Sequence, residues 1–244
     1  MIKIFPDVEK LNEYAAGKFV EIAAAAIKER GKFSVALSGG STPKALHKLL
    51  AGDNFKRVID WQDIFFFFGD ERNVAPDDAE SNFRMAKETL FDPLNIREDK
   101  IFRWQTELMD AKVIVENYRL KLRNFFELTE ETLPRFDLIL LGMGDDGHTA
   151  SLFPNTEALR ETEKIAVSNR VEQLDTTRLT LTFPVINNAR NVIFLVKGAD
   201  KAGTLKNVLE GDFQPGKFPS QTVKPTNGEL FWLVDEPAAQ LLTR

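Results

Sequence analysis

Short apolar, β-branched or aromatic runs alternate along the chain with longer amphipathic stretches. The runs fall at 33–37 (FSVAL), 63–71 (DIFFFFGDE), 136–144 (FDLILLGMG), 164–168 (KIAVS), 191–198 (NVIFLVKG) and 229–235 (ELFWLVD). Their hydrophobicity is continuous rather than alternating, the pattern of strands covered on both faces in a mostly parallel sheet. Between them, helical periodicity covers roughly 7–29, 43–51, 79–91, 109–127 and 199–209. Strands alternating with helices of this length predict an α/β fold, a parallel sheet layered with helices.

Three of the runs end in chemically loaded loops: Ser38-Gly39-Gly40-Ser41, Gly69-Asp70-Glu71-Arg72 and Gly142-Met143-Gly144-Asp145-Asp146-Gly147-His148. Ligands of open parallel sheets collect beyond the carboxyl ends of strands, so the three loops are expected to line one crevice. In the first loop the glycines permit a sharp turn and close approach of a ligand, Thr42 suits an N-cap and Pro43 the first helical turn. Unpaired N–H groups at such a helix start favour an anion such as phosphate; a tight, well-capped strand-to-helix turn is the plainer alternative. The loop lacks the third glycine of a dinucleotide fingerprint and the G-K-[ST] of a Walker A loop.

Composition narrows the function classes. The 244 residues suffice for one large domain, and the balance of 43% hydrophobic to 28% charged residues is that of a globular chain. A net charge of -5 offers no broad positive field for nucleic acid or an anionic membrane. No apolar stretch approaches the about 20 residues of a membrane helix, so the expectation is a cytoplasmic protein. With no cysteine, thiol nucleophiles and thiolate metal sites are excluded.

His47 and His148 are the two histidines. His47 flanks the apolar stripe of Leu46, Leu49 and Leu50 on a short helix and is expected on the solvated surface. His148 follows a glycine-rich loop, with Asp145 and Asp146 placed to fix its tautomer, and is the candidate general base; loop capping is the plainer reading. The acids at 70, 71, 145 and 146 could hold Mg²⁺, but Arg72 is a poor neighbour for a cation, so metal-free acid–base chemistry on a bound anion is expected. Arg72, Arg178 and Lys201 lie near predicted strand ends, where each could read an anion or pair with a nearby acid, Asp70 or Glu71 for Arg72 and Asp200 for Lys201.

With these loops, "LSGGSTP" (37–43), "GDERNV" with "SN" (69–74, 81–82), "FDLILLGMGDDGHTASLFP" (136–154), "RLTLTFPVINNA" (178–189), "VKGADKA" (196–202) and "WLVDEPAA" (232–239) make the chain resemble the 6-phosphogluconolactonase family nearly end to end. Asp145 and Gly69 depart from that pattern, which often has proline or glutamate at the first and an aliphatic residue at the second. The resemblance implies a single Rossmann-like α/β/α domain over 1–244, of the glucosamine-6-phosphate deaminase, ribose-5-phosphate isomerase and CoA-transferase superfamily. It implies hydrolysis of 6-phospho-D-glucono-1,5-lactone in the oxidative pentose phosphate pathway, without metal or other cofactor, by a monomer. By position, Ser38, Gly39, Gly40, Ser41 and Thr42 would wrap the phosphate, with charge from Arg178 and Lys201. His148 would act as base and then acid and Asp146 would orient it. Arg72 would face the carbonyl or make a second phosphate contact, and Asp70 would belong to the site without an assigned role. A glucosamine-6-phosphate deaminase shares "SGGSTP" and "DGH", but Arg72 and "HTASLFP" side with the lactonase. A non-catalytic sugar-phosphate sensor on the same fold would tend to lose the D-G-H triplet or add a DNA-binding domain.

Overall fold

A computed structural model describes residues 1–130 and 132–243. The strands are β1 (Ile2–Phe5), β2 (Phe33–Leu37), β3 (Ile64–Phe68), β4 (Asp70–Arg72), β5 (Ile101–Phe102), β6 (Leu138–Leu141), β7 (Ala166–Val171), β8 (Thr176–Leu181), β9 (Asn191–Val196) and β10 (Glu229–Asp235). The helices are α1 (Val8–Arg30), α2 (Ser41–Leu50), α3 (Asn82–Ala86), α4 (Asp92–Leu94), α5 (Ala111–Phe125), α6 (Phe183–Asn187), α7 (Ala202–Glu210) and α8 (Glu236–Ala239). Seven strands form one parallel sheet in the order β1-β10-β9-β6-β2-β3-β5. The chain leaves β2 towards β3 on one side and β6 towards β9 on the other, so the switch point lies between β2 and β6. A crevice opens beyond the carboxyl ends of strands at such a point.

Phe65 to Phe68 show the layering. Phe65 and Phe67 pack on Phe125 of α5, while Phe66 and Phe68 pack on Phe91, in the π-helical turn Lys87–Phe91 that joins α3 to α4. On the latter face Phe33 of β2 meets Phe19 of α1 edge-on at 5.2 Å. A strand with both faces buried reads as continuous rather than alternating apolar sequence, as expected. Among the described residues no helix is long and apolar enough to cross a membrane.

Several boundaries differ from the sequence reading. The run 63–71 is two strands: β3 ends at Phe68, and Asp70–Arg72 pairs antiparallel with β8 in a second sheet of order β4-β8-β7. The run at 164–168, expected in the parallel sheet, belongs to that antiparallel sheet. β8 and β1 lie outside the apolar runs, because Thr176, Thr177 and Arg178 open β8 with polar residues and β1 alternates as an edge strand does. α2 begins at Ser41 behind Gly40, whose φ of 104° sets the helix entry, so Thr42 lies in the first turn rather than at the N-cap. His47 is fully buried, contrary to expectation, because the π turn packs over α2 and brings Thr89 Oγ1 to 3.4 Å from its Nδ1. That burial pushes its pKa down to about 4 and keeps the ring neutral.

The outer edge of β3 has a backbone problem that α5 solves. β5 pairs only with Phe66 and Phe67, leaving the buried Phe68 without a strand neighbour on that side. The Tyr118 hydroxyl takes the missing place: it accepts from Phe68 N at 3.0 Å and donates to Phe68 O at 2.9 Å, and Trp104 Nε1 also donates to that oxygen. Tyr118→Phe therefore strands the Phe68 N–H, while Trp104 still serves the carbonyl. An unpaired buried donor costs about 1–3 kcal/mol. The expected outcome is a lower urea midpoint with an unchanged denaturant slope, read by circular dichroism; an unshifted midpoint would refute this role for the hydroxyl.

Candidate active site

At the switch point the loops after β2 and β6 meet β4 and β8 around a cavity of about 310 Å³. Ser38, Gly39 and Gly40 form one wall. No side chain caps the start of α2, and Pro43 has no N–H, so the donors at this helix start come from the residues at 39–42. Ser41 and Thr42 occupy the first turn and do not line the cavity. A Cβ at 39 would sit 1.9 Å from Asn82 Oδ1, so the Asn82 amide lies directly on the loop and any larger residue there forces the amide or the loop to shift.

β4 and β8 supply the charge. Arg72 and Arg178 are cross-strand partners, two cations side by side on the cavity wall. Among the described residues neither forms an ion pair: Arg72 Nη1 donates to Glu80 O, and Arg178 Nε is buried without an acceptor. Burial, and then the charge of Arg72, hold the Arg178 guanidinium below its ordinary pKa. Like charges directly opposite on a sheet are unfavourable, and a bound anion relieves them. Asp70 turns inward, its carboxylate accepting from Ser151 Oγ at 2.7 Å, while its carbonyl accepts from Asn82 Nδ2 at 3.0 Å.

The loop after β6 carries the acid–base pair. Gly147 takes φ 79°, and its carbonyl accepts from both Ser220 N and Ser220 Oγ, which fixes the turn from outside. Asp146 Oδ1 accepts from His148 N at 3.0 Å and lies 2.6 Å from His148 Nδ1. A carboxylate on Nδ1 makes that nitrogen the protonated one and leaves Nε2 as the basic atom. Burial works to raise the Asp146 carboxyl, but the hydrogen bond and charge of His148 outweigh it and hold the group below the usual carboxylate range. The arrangement can accept a proton at Nε2 beside an anion held by two arginines and backbone N–H groups.

Of the candidate residues, the structure brings Ser38, Gly39, Gly40, Asp70, Arg72, His148 and Arg178 onto one cavity, with Asp146 directly behind His148. Lys201 is not on the wall; its Nζ is bonded to Asp145, with Asp200 at 3.9 Å. Asn82, Ser151 and Phe153 also line the site; "SN" and "HTASLFP" contain them, but no local pattern in the sequence marks them out. Glu71, beneath the wall, forms no ion pair with the Arg72 guanidinium. It accepts instead from the backbone N–H groups of Arg72, Asn82 and Phe83, each at 2.8 Å, and so ties β4 to the start of α3. Larger depressions, of about 810 Å³ beside Arg103 and about 520 Å³ beside Arg119, contain cations already paired with Glu107 and Glu116 and hold no histidine.

Residues 6–232 match the family model described as glucosamine-6-phosphate isomerases/6-phosphogluconolactonase. A 6-phosphogluconolactonase of Synechocystis sp. is 43% identical over 218 residues, 89% of this chain and 88% of the relative. The solved 6-phosphogluconolactonase of Trypanosoma brucei superposes with a TM-score of 0.89 at 30% identity, covering 100% of this chain and 98% of that one. A monomeric glucosamine-6-phosphate deaminase shares the fold, with a TM-score of 0.80 at 20% identity over 98% and 99% of the two chains.

The burial of Glu71 has a consequence for stability. Desolvation pushes its carboxyl up to about 7 against the pull of its three backbone donors. Above the unfolded value of about 4.3 and below 7, the folded chain therefore holds a proton that the unfolded chain has released. The stability this group contributes is fully present below that window and is lost as pH rises across it through 7, by up to about 4 kcal/mol. Urea midpoints measured from pH 4.5 to 8 should fall in wild type relative to Glu71→Gln, whatever constant offset the amide adds, because the opposing contribution of buried His47 is common to both proteins. Parallel curves for the two proteins would contradict it.

Proposed function

The chain belongs to the glucosamine-6-phosphate isomerase/6-phosphogluconolactonase family and hydrolyses 6-phosphogluconolactone in the pentose phosphate pathway, and we propose that His148 and Asp146 move the proton in that reaction. The observation that carries the residue assignment is the convergence on one cavity of a carboxylate-backed imidazole, two arginines without ion-pair partners among the described residues, and a glycine loop.

The substrate phosphate is read by the Ser38–Gly40 loop and the N–H groups that open α2, with Arg178 as counter-charge. Lys201 adds to that charge only by exchanging Asp145 for the ligand. With the phosphate anchored, C1 of the lactone lies towards His148. Nε2 takes a proton from water as the water oxygen bonds to C1, and the imidazolium that forms is stabilised by the Asp146 carboxylate on Nδ1. Charge accumulates on the former carbonyl oxygen, where Arg72 faces it. When the tetrahedral intermediate collapses, the C1–O bond to the ring oxygen breaks and His148 returns its proton to that oxygen, giving 6-phosphogluconate. Asp70 holds Ser151, and through its carbonyl Asn82, in the cavity wall. Every group in this account comes from one chain, and every step uses side chains and water.

His148→Asn keeps a polar side chain but cannot exchange a proton near neutrality, so turnover should fall by about 10²- to 10⁴-fold after subtraction of spontaneous hydrolysis. Calorimetry should find 6-phosphogluconate binding largely intact. A wild-type rate in the variant would remove His148 from the mechanism.

Gly39→Ala places a methyl group where the Asn82 amide lies. Displacing the loop forfeits one or two charge-assisted hydrogen bonds of about 1.5–3 kcal/mol each, so product affinity should weaken by roughly 10-fold or more. Unphosphorylated gluconolactone should show no comparable loss in kcat/KM. Equal losses on both lactones would overturn the assignment of the loop to the phosphate.

A further inference from the structure

The imidazole of His148 has a neighbour that the proton-transfer account does not use. Phe153 stacks on it, with ring centroids 4.0 Å apart and ring planes 25° apart. Phe153 is buried, at 8% exposure, yet it stands outside the main hydrophobic cluster, and its aromatic contact is this one imidazole. The Nδ1–Cε1 edge of the same ring rests on Gly144, where a Cβ would fall 2.1 Å from Nδ1 and 2.2 Å from Cε1. Three contacts thus fix the ring: Phe153 on a face, the bare Gly144 backbone along one edge, and Asp146 on Nδ1.

We propose that Phe153 is a positioning residue for the lactonase reaction, holding His148 with Nε2 towards the cavity and offering its π face to the imidazolium that forms during proton transfer. The inference rests on His148 being the base. The negative face of an aromatic ring attracts a cation, and an aliphatic side chain of similar bulk fills the space without that attraction. The charged groups that face the imidazole are Asp146 on its own loop and, across the cavity, Asp70 and Arg72 of β4 and Arg178 of β8. None of them is altered by a change at 153.

The chain's histidine count makes the test clean. It has two histidines, and burial pushes His47 down to about 4, so above about pH 5 the His47 ring stays neutral and leaves the His148 resonances as the readout. Phe153→Leu should lower kcat by roughly 2- to 30-fold, the range an aromatic face contributes to a facing cation, with KM within about twofold. Its His148 resonances should titrate at lower pH than in wild type, and the acid limb of the kcat profile should move the same way. Phe153→Tyr, which keeps the face, should restore both.

An unchanged His148 titration and unchanged kcat in Phe153→Leu overturn the proposal. Equal losses in the leucine and tyrosine variants, with a shifted His47 resonance, also overturn it, since they would mark disrupted packing. A shifted titration with unchanged kcat overturns it by another route, by removing His148 as the base. The NMR readout does not depend on turnover, so failure of the stacking contact and failure of the base assignment are distinguishable.

Discussion

Gly69 is where one backbone serves two sheets. Its N–H donates to Leu37 O of the parallel sheet, and its carbonyl accepts from Leu181 N of the antiparallel one. A strand buried on both faces must have its backbone groups paired, and this division lets the chain leave β3 for β4 with each group satisfied. Tyr118 completes the exit by pairing with Phe68 on the side where β5 has ended. The transfer has a functional product. It carries Asp70 and Arg72 out of the parallel sheet and sets Arg72 beside Arg178, over the switch point where the glycine loop and the histidine loop arrive from β2 and β6.

Electrostatically the site is built to be incomplete. Among the described residues Arg72 and Arg178 face each other without carboxylate partners, and Arg178 keeps a buried Nε–H without an acceptor. Nearby carboxylates are engaged elsewhere: Asp70 with Ser151, Glu71 with backbone N–H groups, Asp145 with Lys201 and Asp146 with His148. Those four acids each have another partner, which leaves the arginines' charge for a phosphate or a developing oxyanion. Preorganised charge of this kind needs no rearrangement at the moment of reaction.

The two histidines show how environment assigns a role to one side-chain type. His47 is sealed between α2 and the π turn, is held neutral and has no access to ligand. His148 lies on a loop whose glycines allow a carboxylate, an aromatic face and a bare backbone to surround it while the residue still lines the cavity. Rigid contacts on a loop residue matter because small errors in the placement of a proton-transfer group are costly in rate.

The sequence by itself determined the parallel sheet, because strands buried on both faces must be apolar throughout: β2 and β10 coincide with the runs read at 33–37 and 229–235. It also determined the three loops that meet, since glycine, aspartate and histidine at strand ends carry their chemistry in local order. Tertiary structure decided what local patterns do not encode. β4 and β8 pair across more than a hundred residues, and nothing near Arg72 or Arg178 announces that they are neighbours. The periodicity around His47 is that of a surface helix, and only the packing of a distant turn buries it. Lys201 follows a strand end as a phosphate ligand would, yet a short contact to Asp145 holds it off the wall. Nothing in the local sequence marks out Phe153, and its contact with His148 exists only because the loop after β6 folds back on itself. Periodicity reports which faces are buried; which distant groups share a site depends on how strands cross, and that depends on the whole chain.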